Sequence, residues 1–176
     1  QWRLHMSSRF FSLVLSPSVS LSSLLAVLGT IPYFEHQEAH DAAPRASMTE
    51  SCAVPLYITE IVSQPRLSIL AGQAERGAFL NWLHHADATL TFPQAVVMRY
   101  GVFEPGVAEA AAEGYAKWFV ARLRWLNGTL SDGRRFLCGD RMTIADICVA
   151  YALYNGSERG LCGLGLASAG KEPLSN

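Results

Sequence analysis

At 176 residues the chain is long enough to bury a core of its own, and half of its residues are hydrophobic. Only 16% are charged and the formal net charge is -1, so no strong field exists to draw nucleic acid or an anionic membrane surface. Cys52, Cys138, Cys148 and Cys162 show no Cys-x-x-Cys spacing, and the histidines fall outside metal-ligand intervals. That pattern argues against a metal centre and for reduced thiols in a cytoplasmic protein.

Residues 1–48 do not read as part of a globular enzyme. Positions 10–34 hold no Asp, Glu, Lys or Arg, while Arg3 and Arg9 precede them. Basic residues before an apolar run are the pattern of a targeting segment. Scattered serines and Pro17 dilute the run of about 20 apolar residues that a membrane span requires. A non-native leader, a targeting segment and a membrane span all stay open here, and the membrane is the least favoured. Residues 35–47 are polar and Ala-rich and read as linker; 1–48 show no alternating strands, and 33–47 lacks a convincing hairpin.

The next stretch, 49–154, is dense with helical periodicity. Phe79, Leu83, Ala86 and Leu90 follow a 4-3-4 spacing on one face, and Pro93 is expected to kink or end that helix. A second helix is expected over 107–130, with Tyr115, Phe119, Leu123, Leu126 and Leu130 inward and Ser131-Asp132-Gly133 closing it. A third starts at Thr143. Thr143 is a natural N-cap with Asp146 three residues on, a capping box with Asp in place of Glu, and Met142 with Ile147 can form a hydrophobic staple. Beyond the cap, Ile147, Cys148, Ala150, Tyr151 and Leu153 are apolar nearly all round, which suits a central helix. From Asn155-Gly156 the chain turns Gly-rich, so 155–176 reads as a flexible tail, with an ordered closing loop as the alternative. No strand pattern of comparable strength appears, and the fold class expected is all-α.

Candidate binding residues fall in two places. In Met48-Thr49-Glu50-Ser51-Cys52-Ala53-Val54-Pro55, Thr49 or Ser51 can cap a short helix whose positive end suits a carboxylate, with Pro55 tolerated in its first turn. Further on, His84 and Thr91 lie seven residues apart and would share a face of a regular helix, with His85 on another face as a surface or interface residue. Arg99, Tyr100 and Phe103 follow Pro93, and Trp118, Phe119 and Trp125 read as core or interface aromatics.

Three of these stretches resemble one family. Glu50-Ser51-x-Ala53-Val54 resembles the E-S-x-A-I motif of glutathione transferases, and the string F-L-x-G-D-x-x-T-I-A-D at 136–146 resembles their sixth-helix motif. The run from Arg76 through Trp82 to Ala86 is similar to their fourth helix, so the resemblance, bacterial in type, covers 48–154. It implies a glutathione S-transferase C-terminal helical bundle with a remnant of the N-terminal thioredoxin-like domain. The parts would be a leader or linker at 1–48, the last thioredoxin-like helix at 49–64, the helical domain at 65–154 and the tail at 155–176. Glu50 and Ser51 would hold the amino and carboxylate groups of the γ-glutamyl end of glutathione. His84, Thr91 and Arg99 would border the pocket for a small hydrophobic electrophile, and Asp146 would serve folding. Glutathione would be the co-substrate, without a metal, and the chain would form a homodimer or self-associate.

The same resemblance places a catalytic hydroxyl or thiol and a cis-proline before Glu50. No residue there is identified for either task. Ile31-Pro32 is the one dipeptide on offer for the proline, and Ser7, Ser8 and Tyr33 carry no distinguishing signal as catalytic groups. The expectation is therefore a transferase-like protein that is incomplete and weakly active or inactive. The alternatives are a non-catalytic helical dimerisation module and a truncated gene product. The family adds further helices after the sixth, so this chain is expected to expose apolar surface there.

Overall fold

A computed structural model describes residues 2–5, 33–37, 42–62 and 65–158. The chain divides into two compact units, Gln1–Val62 and Ser63–Asn176. In the first, strands β1 (Trp2–His5), β2 (Tyr33–His36) and β3 (Ala46–Met48) form an antiparallel sheet in the order β1-β2-β3, followed by helix α1 (Ala53–Ile61). Trp2 lies opposite His36, and Phe34 lies opposite Met48. Phe34 and His36 are two residues apart and so point to the same face. Both are buried and both meet Tyr57 of α1: the Phe34 ring packs edge-on at 6.1 Å, and His36 Nδ1 lies 2.8 Å from the Tyr57 hydroxyl.

That hairpin corrects the all-α expectation and the reading of 33–47 as lacking one. Its strands are only four and three residues long. Polar His36 breaks the apolar alternation that marks a strand. Its burial is tolerated because Tyr57, 21 residues along the chain, supplies the hydrogen bond.

Helices dominate the described residues of the second unit, with turns and loops at 68–75, 104–108 and 131–143 between them. A 3₁₀ turn (Pro65–Leu67) precedes α2 (Arg76–His84), which continues without a break through a π-helical segment (His85–Thr91), α3 (Phe92–Met98) and a second π-helical segment (Arg99–Phe103). Pro93 therefore neither ends the helix nor simply kinks it. Its ring would clash one α-turn back and it has no N–H to give, and the helix answers by widening ahead of it. The Phe92 amide reaches the Asp87 carbonyl, five residues back, and Thr91 Oγ1 donates to the Ala86 carbonyl at 2.8 Å.

The 4-3-4 face is buried as expected, with Phe79, Leu83, Ala86 and Leu90 all in the core. Helix α4 (Glu109–Leu130) adds Ala116, Phe119 and Leu126, while Leu130 at its last position is exposed. Gly133 ends the turn beyond it at φ 83, a conformation that favours glycine, and its amide donates to the Leu130 carbonyl at 3.2 Å. The last helix, α5 (Ile144–Glu158), runs past the expected stop at Asn155. Gln94 joins it to α3, donating from Nε2 to the carbonyls of Leu90 at 2.9 Å and Ala152 at 2.8 Å. Burial along α5 is one-sided. Ile144, Ala145, Val149 and Ala152 are enclosed, whereas Ile147, Tyr151 and Tyr154 are 44%, 54% and 59% exposed. Their i, i+4, i+7 spacing makes an apolar stripe on one face. No helix among the described residues is long and apolar enough to cross a membrane.

Candidate functional site

Glu50 and Ser51 sit side by side, both exposed, in the turn between β3 and α1. The expected side-chain cap does not form. Cys52 occupies the cap position but makes no side-chain capping bond to the helix, and the turn is closed by the backbone, the Val54 amide donating to the Glu50 carbonyl at 3.1 Å. Neither the Glu50 carboxylate nor the Ser51 hydroxyl is therefore spent on holding the turn, and both stand at the positive end of α1. That end can receive a carboxylate, and the Glu50 carboxylate can receive an ammonium group. Ile31-Pro32, Ser7 and Ser8 lie outside the described residues. Tyr33 is the first residue of β2.

The residues expected around a second pocket are dispersed in function. His84 is exposed at the end of α2. The Thr91 hydroxyl is committed to the Ala86 carbonyl. Arg99 is engaged with Glu104, through Nη2 to Oε1 at 2.9 Å and Nε to Oε2 at 3.3 Å, and its guanidinium lies 5.7 Å from the Tyr100 ring centre. None of the hydrogen bonds or ring contacts described for Thr91 and Arg99 joins them to each other or to His84. The seven-residue spacing of His84 and Thr91 spans the whole π-helical segment, whose wider turn does not keep the register of a regular helix.

His85 is the residue that sequence reasoning misplaced. It is buried, with the stacked Trp82 and Trp125 beside it, where a surface or interface position was expected. Burial holds its imidazole below the usual histidine value, and the positive charge of Arg122 adds to that effect. His85, Thr89, Trp118, Arg122 and Trp125 line a cleft of about 410 Å³. A second cleft of about 280 Å³ is lined by residues including Glu75, Cys138, Asp140 and Arg141. Burial pushes the Cys138 thiol up to about 11, the Asp146 carboxylate adding to the shift, so this cysteine is an inert thiol at neutral pH. Neither cleft includes His84, Thr91 or Arg99. Among the described residues no group of His, Cys, Asp and Glu is placed to hold a metal ion.

Thr143 and Asp146 form only half of the expected box, and something more. Asp146 Oδ2 accepts from the Thr143 amide at 2.8 Å and from the Thr143 hydroxyl at 2.9 Å, so the hydroxyl bonds the carboxylate. Oδ1 accepts from the Leu137 amide at 2.8 Å, tying the preceding loop to the helix start. Gly139 makes the turn between them at φ 68. Met142 and Ile147 both remain about half exposed, so a staple between them buries little.

The family model for the glutathione S-transferase C-terminal domain matches residues 107–155, the span of α4 and most of α5. A search of curated protein sequences finds no match. Solved structures agree in fold. A glutathione transferase homolog from Lodderomyces elongisporus, solved with two GSH per subunit, is 21% identical with a TM-score of 0.62, over 82% of this chain and 72% of that one. Ure2p5 from Phanerochaete chrysosporium, crystallised with 1-(S-glutathionyl)-2,4-dinitrobenzene, is 22% identical with a TM-score of 0.66, over 84% and 66%. A glutathione transferase family member from Pseudomonas fluorescens, with two glutathione bound, is 22% identical with a TM-score of 0.62, over 80% and 61%. Residues 107–155 thus match the glutathione S-transferase C-terminal domain, and the chain shares the fold of fungal as well as bacterial glutathione transferases. The chain spans only about two thirds of the length of these relatives.

Proposed function

We propose that the chain is a glutathione transferase-like protein that binds glutathione through Glu50 and Ser51, with conjugation to a hydrophobic electrophile as the family reaction. The observation that carries this reading is the placement of both side chains, exposed and unspent, at the positive end of α1. There the Ser51 hydroxyl and nearby amides suit the γ-glutamyl carboxylate, and Glu50 suits the ammonium group. The order of hairpin and helix, β2-β3-α1, supports reading this unit as the end of a thioredoxin-like domain. The relatives solved with glutathione, or with a glutathionyl-dinitrobenzene, support the ligand. No residue of this chain is assigned as the group that activates the thiol, so the proposal is binding first and turnover second.

The test is retention on glutathione-agarose with a parallel conjugation assay on a halodinitrobenzene. Glu50→Ala and Ser51→Ala are each expected to weaken glutathione binding about ten- to a hundredfold, the scale of a lost charge-assisted hydrogen bond of about 1.5–3 kcal/mol. Wild-type protein that is not retained would leave the helical interaction module as the better description.

The exposed stripe Ile147, Tyr151 and Tyr154 favours a second, compatible reading, self-association through α5. Sedimentation of the full chain is expected to show a dimer or larger species, shifted toward monomer by Tyr151→Ser. A monomer at high micromolar concentration would rule this out.

A further inference from the structure

Three places in the chain set glycine directly after Asn or Asp: Asn127-Gly128, Asp132-Gly133 and Asn155-Gly156. Such a dipeptide is prone to ring closure on itself, because a glycine without Cβ lets its amide nitrogen approach the preceding side-chain carbonyl. The fold treats the three differently.

Asn155-Gly156 is closed off. Helix α5 runs through it to Glu158, Asn155 is half-buried, and Gly156 is buried with Phe119 Cζ 2.6 Å from where a Cβ would stand. Bringing the Asn155 side chain over the Gly156 nitrogen would move this backbone against a ring that is 1% exposed. Asp132-Gly133 is exposed but held in an unreactive form. Ring closure there must expel water from a protonated carboxyl. Arg134 instead grips both carboxylate oxygens, from Nε at 3.0 and 2.9 Å and from Nη2 at 2.6 Å. Those bonds hold the carboxyl down at about 2, so it is ionised at neutral pH.

Asn127-Gly128 has neither protection. Both residues are exposed, and both lie in the last turn of α4, which ends at Leu130. Nothing lies within 4 Å of where a Cβ on Gly128 would stand. In a closed helix the Gly128 amide is spent one turn back, so the reaction runs from an opened last turn. Glycine weakens that turn and helix ends fray readily. Its closure rests on exposed Ser131, whose hydroxyl at 2.7 Å and amide at 3.4 Å both donate to the Gly128 carbonyl.

From this we infer that Asn127 is a site of spontaneous deamidation and isoaspartate formation, selected over Asn155 by the fold. The Gly128 amide nitrogen attacks Asn127 Cγ. An N–Cγ bond forms, the Cγ–Nδ2 bond breaks, and ammonia leaves carrying the former amide proton. Water then opens the succinimide at either carbonyl, to aspartate or to isoaspartate. Each product puts a negative charge at the negative end of α4, where the helix dipole opposes it. Isoaspartate also adds a methylene to the backbone, which breaks the helical repeat and frees Thr129 and Leu130 from the last turn.

The test is incubation of the full chain in mildly alkaline buffer, followed by peptide mass analysis and methyl labelling with an isoaspartyl methyltransferase. In the folded chain Asn127 is expected to convert at least about tenfold faster than Asn155, and in urea the two are expected to convert at similar rates. Gly128→Ala, a change at an exposed helical position, is expected to slow conversion of Asn127 at least about tenfold. Equal conversion of Asn127 and Asn155 in the folded chain, or conversion of Asn127 only after urea is added, would overturn the assignment. So would methyl labelling that survives Gly128→Ala, which would place the isoaspartate at Asp132. Neither Glu50 nor Ser51 takes part, so failure of the glutathione reading and failure of this one are separable.

Discussion

Asp146→Ala is expected to destabilise the helical unit by about 3–4 kcal/mol, because one carboxylate serves three donors at once. Each is a hydrogen bond to a charged group, worth about 1.5–3 kcal/mol when lost, and neighbouring losses are not additive. Thr143 is 0% exposed, so its amide and hydroxyl would find little water in exchange. The Leu137 amide would lose its partner as well. Asp146→Glu separates the two roles. A longer side chain can still reach back to the Thr143 amide, as in the usual capping box, but it overshoots the geometry that also reaches Leu137. Glu is therefore expected to recover about half of the loss. Urea unfolding followed by circular dichroism measures both variants. A loss below about 1 kcal/mol for Asp146→Ala would show that the loop and the helix start are held by other contacts.

The contrast within that junction shows which physical information a chain carries locally. The Thr143–Asp146 pairing is three residues long and was legible as a capping box. Its bond to Leu137 crosses the Gly139 turn and has no local signature. The same division recurs elsewhere. The buried face of Phe79, Leu83, Ala86 and Leu90 was legible because helical periodicity encodes it directly. The inward turn of His85 was not, since it depends on a π-helical segment preceding Pro93. Thr91 marks that segment, its hydroxyl donating to a carbonyl five residues back. Strands β2 and β3 escaped notice because they are short and because His36 is satisfied by a distant Tyr57. Glu50 and Ser51 were legible as a motif, and both are exposed. Arg122 and Trp118 were not legible as parts of a cleft, since the helix that faces them is a separate stretch of sequence.

Gly156 is the sharpest case of tertiary context reversing a local signal, and its replacement by Ala is expected to cost about 1–2 kcal/mol. Asn155-Gly156 looks like a turn, and within a helix Gly→Ala alone should stabilise by about 1 kcal/mol. Yet α5 continues through Gly156, which is buried, and a Cβ added there would lie 2.6 Å from Phe119 Cζ and 3.0 Å from Cε1. The Phe119 ring is 1% exposed and cannot swing into solvent. Gln94 Nε2, 3.5 Å from the same Cβ, is already held by two carbonyls and closes the other way out. Overpacking of this kind costs about 1–3 kcal/mol, enough to outweigh the gain in helix propensity. The sign therefore depends on one ring. Phe119→Leu removes the far end of that ring at the cost of a cavity, so the double variant should be more stable than the sum of the single losses predicts, by about 1 kcal/mol or more. Denaturant unfolding of the four proteins in the cycle measures this coupling directly. Additivity within about 0.5 kcal/mol would mean that Gly156 is not there to admit Phe119.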